Sequence, residues 1–468
     1  MRANIADGLT ASIARHVRAT RWSDLNADVV GVTRRSLVDA TGVMLAASGL
    51  GEACEAFAEL ARAGGDRGPS TVLGWGFATS PIMAAFANGA MAHALDFEDT
   101  HDATLVHPHA AVVPAALAVA EWRGGVSGRD FLTAIAVGAD VTCRLALGLT
   151  ESAENRGFYF LPMLGAYGAA AAAAKLLGLD EDMIEQALAL ASCQAVFSDA
   201  LKTSESSHLR AIRDGFGAKA GVTAALLASK GVKGFARPLE GPGGVYANYA
   251  GGRYDAQRML DGLGEVFEGA RVSFKPWPSC RGTHAFIEAA LQIARAPSFA
   301  ADRIVAIRAT VSPFFQALCN PPEQKRRPRT AIDAKFSVPF TTAVALAHGG
   351  VRLEHFSPEG RADPCVLRLA DRVACGLEPA WKQAESTRGA LTIELADGRQ
   401  WRQEVVEPRG HPSNPMSADE LKRKFLDCAA HARIPAPPQE TQALFARLES
   451  VTELSDVRDL FQLPRTSQ

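Results

Sequence analysis

The sequence predicts a mainly α protein, with an all-helical N-terminal half followed by an α+β segment. Three observations carry this reading. Residues 25–265 repeat apolar side chains at helical spacing in one stretch after another. Six consecutive alanines at 169–174 supply the strongest helix former and let neighbouring helices approach closely. From about residue 268 the pattern turns to β-branched alternation and an Asp-Gly turn.

In order along the chain, helices are expected over 28–49, Pro81–Ala94, 111–122 and Gly128–Leu147. A further helix runs to Ala191, capped by Asp180, with Glu181 and Asp182 in its first turn where they complement the helix dipole. A small-residue helix follows over 216–230, and the glycine-rich stretch 241–252 reads as a loop. Strand signals lie at 303–311 and in the hairpin 390–395/399–406, with helices between them at 280–294 and 341–349. Strands and helices segregated in this way mark an α+β domain. After Gly410, Pro412 and Pro415, Ser417 opens a helix with Glu420 at the reciprocal capping position, and helical stretches at 438–448 and 451–460 end the chain. No period of repeat length stands out, so a solenoid is not expected.

The 468 residues carry 49 Lys+Arg against 51 Asp+Glu, a formal charge of −2, which removes the usual electrostatic case for a nucleic-acid partner. Hydrophobic residues make up 47% and charged residues 21%, ordinary globular values for a chain long enough to bury its cores without staples. The eight cysteines are scattered, none in a CxxC pair, which fits a reducing compartment better than a disulfide frame or zinc site. The first 24 residues lack a continuous apolar core, so they do not read as a secretory signal. Arg2, Arg15, Arg18 and Arg21 raise a transit peptide as one reading, and a surface helix as the plainer one. The most apolar runs, 110–120 and 165–174, are too short to span a bilayer. A cytoplasmic protein with no membrane partner is the expectation.

Three clusters carry candidate chemistry. The first, His93-Ala94-Leu95-Asp96-Phe97-Glu98-Asp99-Thr100-His101-Asp102-Ala103-Thr104-Leu105-Val106-His107-Pro108-His109, packs four acids and four histidines into 17 residues between two apolar helices. An acid/base site, a metal site and a solvated polar loop that caps helices are all open readings, with the first favoured because such a setting perturbs pKa values. The second is Ser273-Phe274-Lys275-Pro276-Trp277-Pro278-Ser279-Cys280-Arg281-Gly282-Thr283-His284. Its prolines make a rigid frame, and Lys275, Arg281 and His284 suit carboxylate binding unless they simply face water at a domain boundary. The third, residues 202–215, holds Arg210 and Arg213 one helical turn apart, either gripping a carboxylate between them or solvating a helix start. No GxGxxG after a strand, no GxxxxGK[ST] and no GxSxG elbow occurs, so neither nucleotide binding nor a hydrolase elbow is supported.

At these clusters the chain resembles a known family. The run from His93 to Thr100 followed by His107-Pro108, and the run from Phe274 to His284, are similar to the two signatures of the MmgE/PrpD family, which includes 2-methylcitrate dehydratase, cis-aconitate decarboxylase and iminodisuccinate epimerase. Residues 165–180 and 330–338 resemble further family stretches, so the resemblance covers nearly the whole chain. It implies an all-helical domain of 1–268 completed by 409–468, an inserted α+β lid domain of 269–408, a homodimer, and no cofactor or metal. It also implies catalytic roles for Asp96, Thr100, His107 and Lys275. Three positions depart from the family pattern: Tyr159 stands where many members have histidine, Arg210 where the decarboxylase has lysine, and Cys280 where it has histidine.

The shared chemistry of such enzymes is movement of a proton at a carbon next to a carboxylate. His107 is the expected acid/base group, since an imidazole titrates near neutral pH. Asp96 would orient it, Thr100 would donate a hydrogen bond, and Tyr159 would serve as a proton donor. Lys275, with Arg210 or Arg281, would stabilise the charge that builds on the carboxylate. Arg210, Arg213, Cys280, Arg281 and His284 are the candidate binding residues. The expected function is a cofactor-independent lyase of dehydratase type on a small hydroxy-polycarboxylate. An epimerase of a small dicarboxylate, a polycarboxylate-binding protein without activity, and a metallohydrolase are the alternatives.

Overall fold

In the computed structural model, residues 8–150, 156–194, 196–202, 204, 207–297, 299–382 and 385–461 are described. Arg2 of the N-terminal reading, and Thr203, Glu205 and Ser206 of the third cluster, lie outside them. The protein is mainly α, and the chain divides into two compact units, Met1–Val272 with Ala418–Gln468, and Ser273–Ser417.

The first unit opens with α1 (Leu9–Ala19), α2 (Ala27–Leu50) and α3 (Cys54–Ala63). A small hairpin, β1 (Ser70–Val72) and β2 (Phe77–Thr79), precedes α4 (Pro81–Ala94), α5 (Pro108–Arg123), α6 (Gly128–Leu147), α7 (Phe160–Leu177), α8 (Glu181–Ala191), α9 (Leu209–Ile212) and α10 (Asp214–Ser229). Two short helices, α11 (Val245–Tyr249) and α12 (Ala256–Leu260), follow, so the stretch 241–252 is not wholly loop. The helix starts follow local capping chemistry. Asn26, Ser80, Ser127 and Asp180 each accept a backbone N–H from the first turn of α2, α4, α6 and α8. The α1 helix is not a plain surface helix: Ile13, Ala14 and Val17 are fully buried, and only its arginine face is open.

The alanine run sits inside α7, which packs on α5, α6, α8 and α10. Residues 169–174 are all fully buried. Small residues are required here because the backbones nearly touch. A Cβ on Gly168 would lie 1.9 Å from Thr142 Oγ1 and 2.5 Å from the Gly138 carbonyl of α6. By length and composition α7 is apolar enough to cross a membrane, which the 165–174 run alone was not. It is a core helix here, with 83% of its apolar window buried. The cysteines are all free thiols; Cys54, Cys143, Cys319 and Cys428 are buried and Cys193 is exposed.

The β1–β2 hairpin interrupts a region that reads as helix after helix. It pairs Ser70 with Thr79 and Val72 with Phe77, and it turns through Gly74 and Gly76 at positive φ. Its anchor is Glu121 of α5, whose carboxylate accepts from the Thr71 amide and hydroxyl, both at 2.7 Å. Burial pushes the Glu121 carboxyl up to about 7 from 4.5, against the opposing pull of the two Thr71 bonds. Between those values the folded protein keeps a proton that the unfolded chain has released. The contribution to stability is therefore full below pH 4.5 and is lost as pH rises through about 7. The loss is on the order of 3 kcal/mol. Glu121→Gln is expected to flatten this fall, read as the denaturant midpoint at pH 5 against pH 8.

The second unit contains α13 (His284–Ala294), β3 (Ile304–Val311), α14 (Pro322–Arg326), α15 (Ala331–Lys335), α16 (Val338–His348), α17 (Pro358–Arg361), α18 (Pro364–Ala370), β4 (Val373–Leu377), β5 (Gly389–Leu395) and β6 (Gln400–Val405). The sheet order is β4-β3-β5-β6, with β3 parallel to β4 and the other neighbours antiparallel. The expected helix at 280–294 begins as a 3₁₀ turn at Arg281–Thr283 and becomes α-helical only at His284. A register shift between Ile304 and Ala306 breaks the simple alternation of β3, so that Ile304 is buried and Val305 is 46% exposed. Ile307, Leu391 and Ile393 form a core with Phe286 of α13 and Phe340 of α16. The strap after β6 stays with this unit, because the Phe274 amide donates to the Gly410 carbonyl at 3.0 Å and the Arg409 amide to Glu288 at 2.6 Å. Gly410 has φ +93°, and a Cβ there would lie 1.7 Å from the Phe274 carbonyl. Gly410→Ala is expected to destabilise by more than about 1 kcal/mol, read by thermal melting.

The chain then returns to the first unit as α19 (Ala418–Ala430) and α20 (Pro438–Glu449), both packed on α2. The expected last helix at 451–460 is instead two 3₁₀ turns, Val451–Glu453 and Val457–Asp459. The first touches α6 and the second α5.

Candidate active site

The first cluster is the loop from the end of α4 to the start of α5, and it is buried. His93 and Glu98 are fully inaccessible, and Asp96, Asp99, Thr100, His101 and His109 are nearly so. The chain turns here because Asp96 adopts φ +49° just past α4, the left-handed position that ends many helices and that aspartate tolerates. Its amide donates to the His93 carbonyl at 2.9 Å. The loop closes on itself by a His101–Val106 bridge, and Pro108 starts α5. Lys424 of α19 fixes it from outside, donating to the Phe97 carbonyl at 2.6 Å while pairing with Asp39 of α2 at 2.6 Å. Burial is the main cause that lifts the Asp39 carboxyl to about 6, with Lys424 opposing.

Where α4 crosses α10, Gly89 and Gly215 let the backbones touch. A Cβ on Gly215 would lie 2.6 Å from the Phe86 carbonyl. That approach sets His93, at the end of α4, beside Arg213 at the start of α10. An Arg213 N–H donates to His93 Nε2, so the neutral imidazole carries its hydrogen on Nδ1, which donates to Glu98. Burial first, then Arg213, holds His93 below the usual imidazole range, with Glu98 opposing. Arg213 itself stays charged, because Tyr159, Asp214, Glu98 and Asp96 outweigh its burial.

The same Glu98 oxygen lies 2.9 Å from His107 Nδ1. That nitrogen also lies 2.8 Å from the Asp99 carbonyl and 3.3 Å from Thr100 Oγ1. A carboxylate and a carbonyl can only accept, so His107 too carries a hydrogen on Nδ1, and in the neutral ring Nε2 holds the lone pair. The His107 side chain is 16% exposed. It lines a narrow, partly open cleft with Val106, Thr142, Tyr159, Arg213 and Asp214, with a cavity volume of only about 10 Å³. Tyr159 precedes α7, with Lys202 Nζ 4.1 Å and Arg213 Cζ 5.3 Å from the centre of its ring.

His107, Tyr159 and Arg213 thus line one cleft, while Thr100 and Asp96 lie buried beside His107, Thr100 Oγ1 3.3 Å from its Nδ1 and an Asp96 oxygen within 4.8 Å of its ring nitrogen. Of the two arginines expected to grip a carboxylate, Arg213 faces His93 and also donates to the Arg210 carbonyl, and Arg210 donates to the Lys202 carbonyl at 3.1 Å. The second cluster belongs to the other unit. Lys275, Arg281 and His284 are all buried there, so none is a water-facing boundary cation. Arg281 donates to the carbonyls of Arg409 (2.9 Å) and Pro408 (3.0 Å) and to Ser273 Oγ (3.2 Å), which makes it a tie for the strap. His284 Nε2 lies 3.2 Å from the Ser279 carbonyl, and the Cys280 amide donates to the Lys335 carbonyl at 3.0 Å. His93, Glu98 and Asp214 are site residues that sequence reasoning did not single out. Only the density of acids and histidines pointed to the first two.

His93, Asp96, Glu98 and His107 offer ligand atoms within 4.8 Å of one another, a set that could receive a cation. Their present bonding opposes it. His93 Nδ1 donates into Glu98, His107 Nδ1 donates to the Asp99 carbonyl and lies 2.9 Å from the same Glu98 oxygen, and the Arg213 guanidinium covers His93 Nε2, so an ion would displace the network beside a fixed positive charge.

Comparison with known proteins finds relatives along most of the chain. The chain is 27% identical to the cis-aconitate decarboxylase-like protein oryM of Aspergillus oryzae, covering 96% of each chain. It is 28% identical to the cis-aconitate decarboxylase of Mus musculus, over 97% of this chain and 93% of that one. It is 25% identical to the 2-methylcitrate dehydratase of Escherichia coli, over 73% of each. Residues 11–257 match the MmgE/PrpD N-terminal domain and residues 277–450 the MmgE/PrpD C-terminal domain, so the chain belongs to the MmgE/PrpD family.

Proposed function

We propose that the protein is a cofactor-independent lyase that moves a proton at a carbon next to a carboxylate of a small polycarboxylate. The carrying observation is the state of His107. It lines the cleft, its Nδ1 is committed to the Asp99 carbonyl and Glu98, and Nε2 is the ring nitrogen with a lone pair to offer. The names of its relatives support this class, since one group acts by decarboxylation and the other by dehydration of such acids.

In this reading His107 Nε2 takes the proton from carbon. The released electron pair delocalises toward the adjacent carboxylate, and a leaving group departs from the neighbouring carbon. Thr100 and Asp96 orient the imidazole and substrate, and Tyr159, beside Lys202 and Arg213, is the proton donor. Lys275 is proposed as a further cation for the carboxylate. Dehydration of a hydroxy-polycarboxylate is the proposed outcome, in a homodimer, and return of the proton to carbon would make the enzyme an epimerase.

Proton NMR in D₂O tests this with a panel of hydroxy-, amino- and unsaturated di- and tricarboxylates. Deuterium is expected to enter one class of compound at carbon, at the same rate in the presence of a chelator, and the product signals separate elimination from epimerisation. Absence of exchange on every compound, with tight binding of one, would make the protein a binder without catalysis. Activity that vanishes in chelator would move the reading to the four-residue metal set.

A further inference from the structure

Glu98 is a fully buried carboxylate with no place in the reaction as proposed, and a buried charge is expensive unless it is paired and hydrogen-bonded. Its surroundings show what it does. One oxygen, Oε1, faces Nδ1 of two imidazoles whose rings stand 4.8 Å apart. His93 is locked in its Nδ1–H form by Arg213, which can only donate. The order is therefore guanidinium, imidazole, carboxylate, imidazole. Asp214 also faces the cationic end, its Oδ2 3.6 Å from Arg213 Nε, and the other end is the partly exposed His107 ring.

We propose that Glu98 is the positioning residue of this site: it fixes His107 with Nε2 unprotonated and stabilises the imidazolium that forms when that atom takes a proton, while His93 and Arg213 hold Glu98 in place. The inference rests on the proton transfer proposed above. In that step the C–H bond breaks, an Nε2–H bond forms, and His107 gains a positive charge 2.9 Å from a carboxylate that stays ionised. The logic is that of the buried aspartate in a serine-protease triad, which orients an imidazole and supports its charged form without taking its proton. A network that merely closed the end of α4 would need neither the charge nor the shared oxygen.

Two measurements test this. Ring ¹⁵N shifts of histidine-labelled wild-type protein at pH 8 are expected to show His93 and His107 both protonated on Nδ1. A neutral His107 protonated on Nε2 would overturn the proposal without any substrate. On the panel compound that exchanges fastest, Glu98→Gln keeps the shape and removes the charge. It is expected to lower kcat about 10²–10³-fold while KM stays within about threefold, and Glu98→Asp is expected to recover at least tenfold of that loss. An unchanged kcat, or KM and kcat moving together in both variants, would make Glu98 structural. If no panel compound exchanges, the proposed reaction fails, and the ¹⁵N shifts still decide the chain from Arg213 to His107.

Discussion

Replacing His107 by alanine is expected to lower turnover about 10²–10⁴-fold, the usual worth of a positioned acid/base group, or about 3–5 kcal/mol of barrier. The protein should remain folded. His107 stands at the start of α5, but its side chain caps no backbone N–H there, and it is 16% exposed. What the substitution removes is the ring nitrogen at the cleft, and it leaves Glu98 still accepting from His93. The measurement is the rate of deuterium entry into the substrate, with thermal melting as the folding control. A variant that exchanges at the wild-type rate would take His107 out of the mechanism and leave Tyr159 and Asp214 as candidate proton-transfer groups at the cleft.

The largest stability effect is expected far from the chemistry. Arg144 of α6 is completely buried, and its donors are fully used. Its Nε bonds Asp140 at 2.8 Å, and its two terminal nitrogens bond the carbonyls of Met259, Asp261, Gly262 and Val266 at 2.6–3.3 Å. Asp140 in turn accepts from the Glu268 amide at 2.7 Å and pairs with His16 of α1 at 3.0 Å. The guanidinium therefore ties α1, α6 and the segment after α12 into one piece. Arg144→Met keeps the length but strands four carbonyls and a buried carboxylate. It is expected to destabilise by about 3–5 kcal/mol, the range for breaking a buried charged network. Arg144→Lys should recover little, because an ammonium lacks the planar fork that reaches several carbonyls at once. Denaturant midpoints of the three proteins read the difference directly. A shift below about 1 kcal/mol in Arg144→Met would mean that the segment after α12 is held by its own packing.

Much of the helical architecture was legible because its signals are local. A cap such as Asp180 acts within its own first turn, and the apolar spacing of α4 or α6 is a property of a dozen consecutive residues. The elements missed depend on partners elsewhere. β4 is a strand because it pairs in parallel with β3, Ile307 opposite Val373, across more than sixty residues of chain. The β1–β2 hairpin exists because Glu121 and Asn88, from two later helices, satisfy its backbone. The bulge that buries Ile304 likewise belongs to the pairing of β3 with β5.

The candidate site divides in the same way. The proposed site residues are dense enough between His93 and His109 for the sequence alone to mark that segment, and Asp96 and Thr100 do lie close to His107. The family itself was readable from two runs of residues. Which groups act on which was not readable, because that is set by a contact between helices more than a hundred residues apart. The approach of Gly215 to α4 puts Arg213, which also donates to the Arg210 carbonyl, on His93. From there the donor and acceptor rules turn the His93 Nδ1–H toward Glu98, whose Oε1 also lies 2.9 Å from His107 Nδ1. Sequence determines which side chains are available and where helices begin. Protonation states and roles are decided only when burial removes water and each polar group must take the partner that the tertiary structure sets beside it.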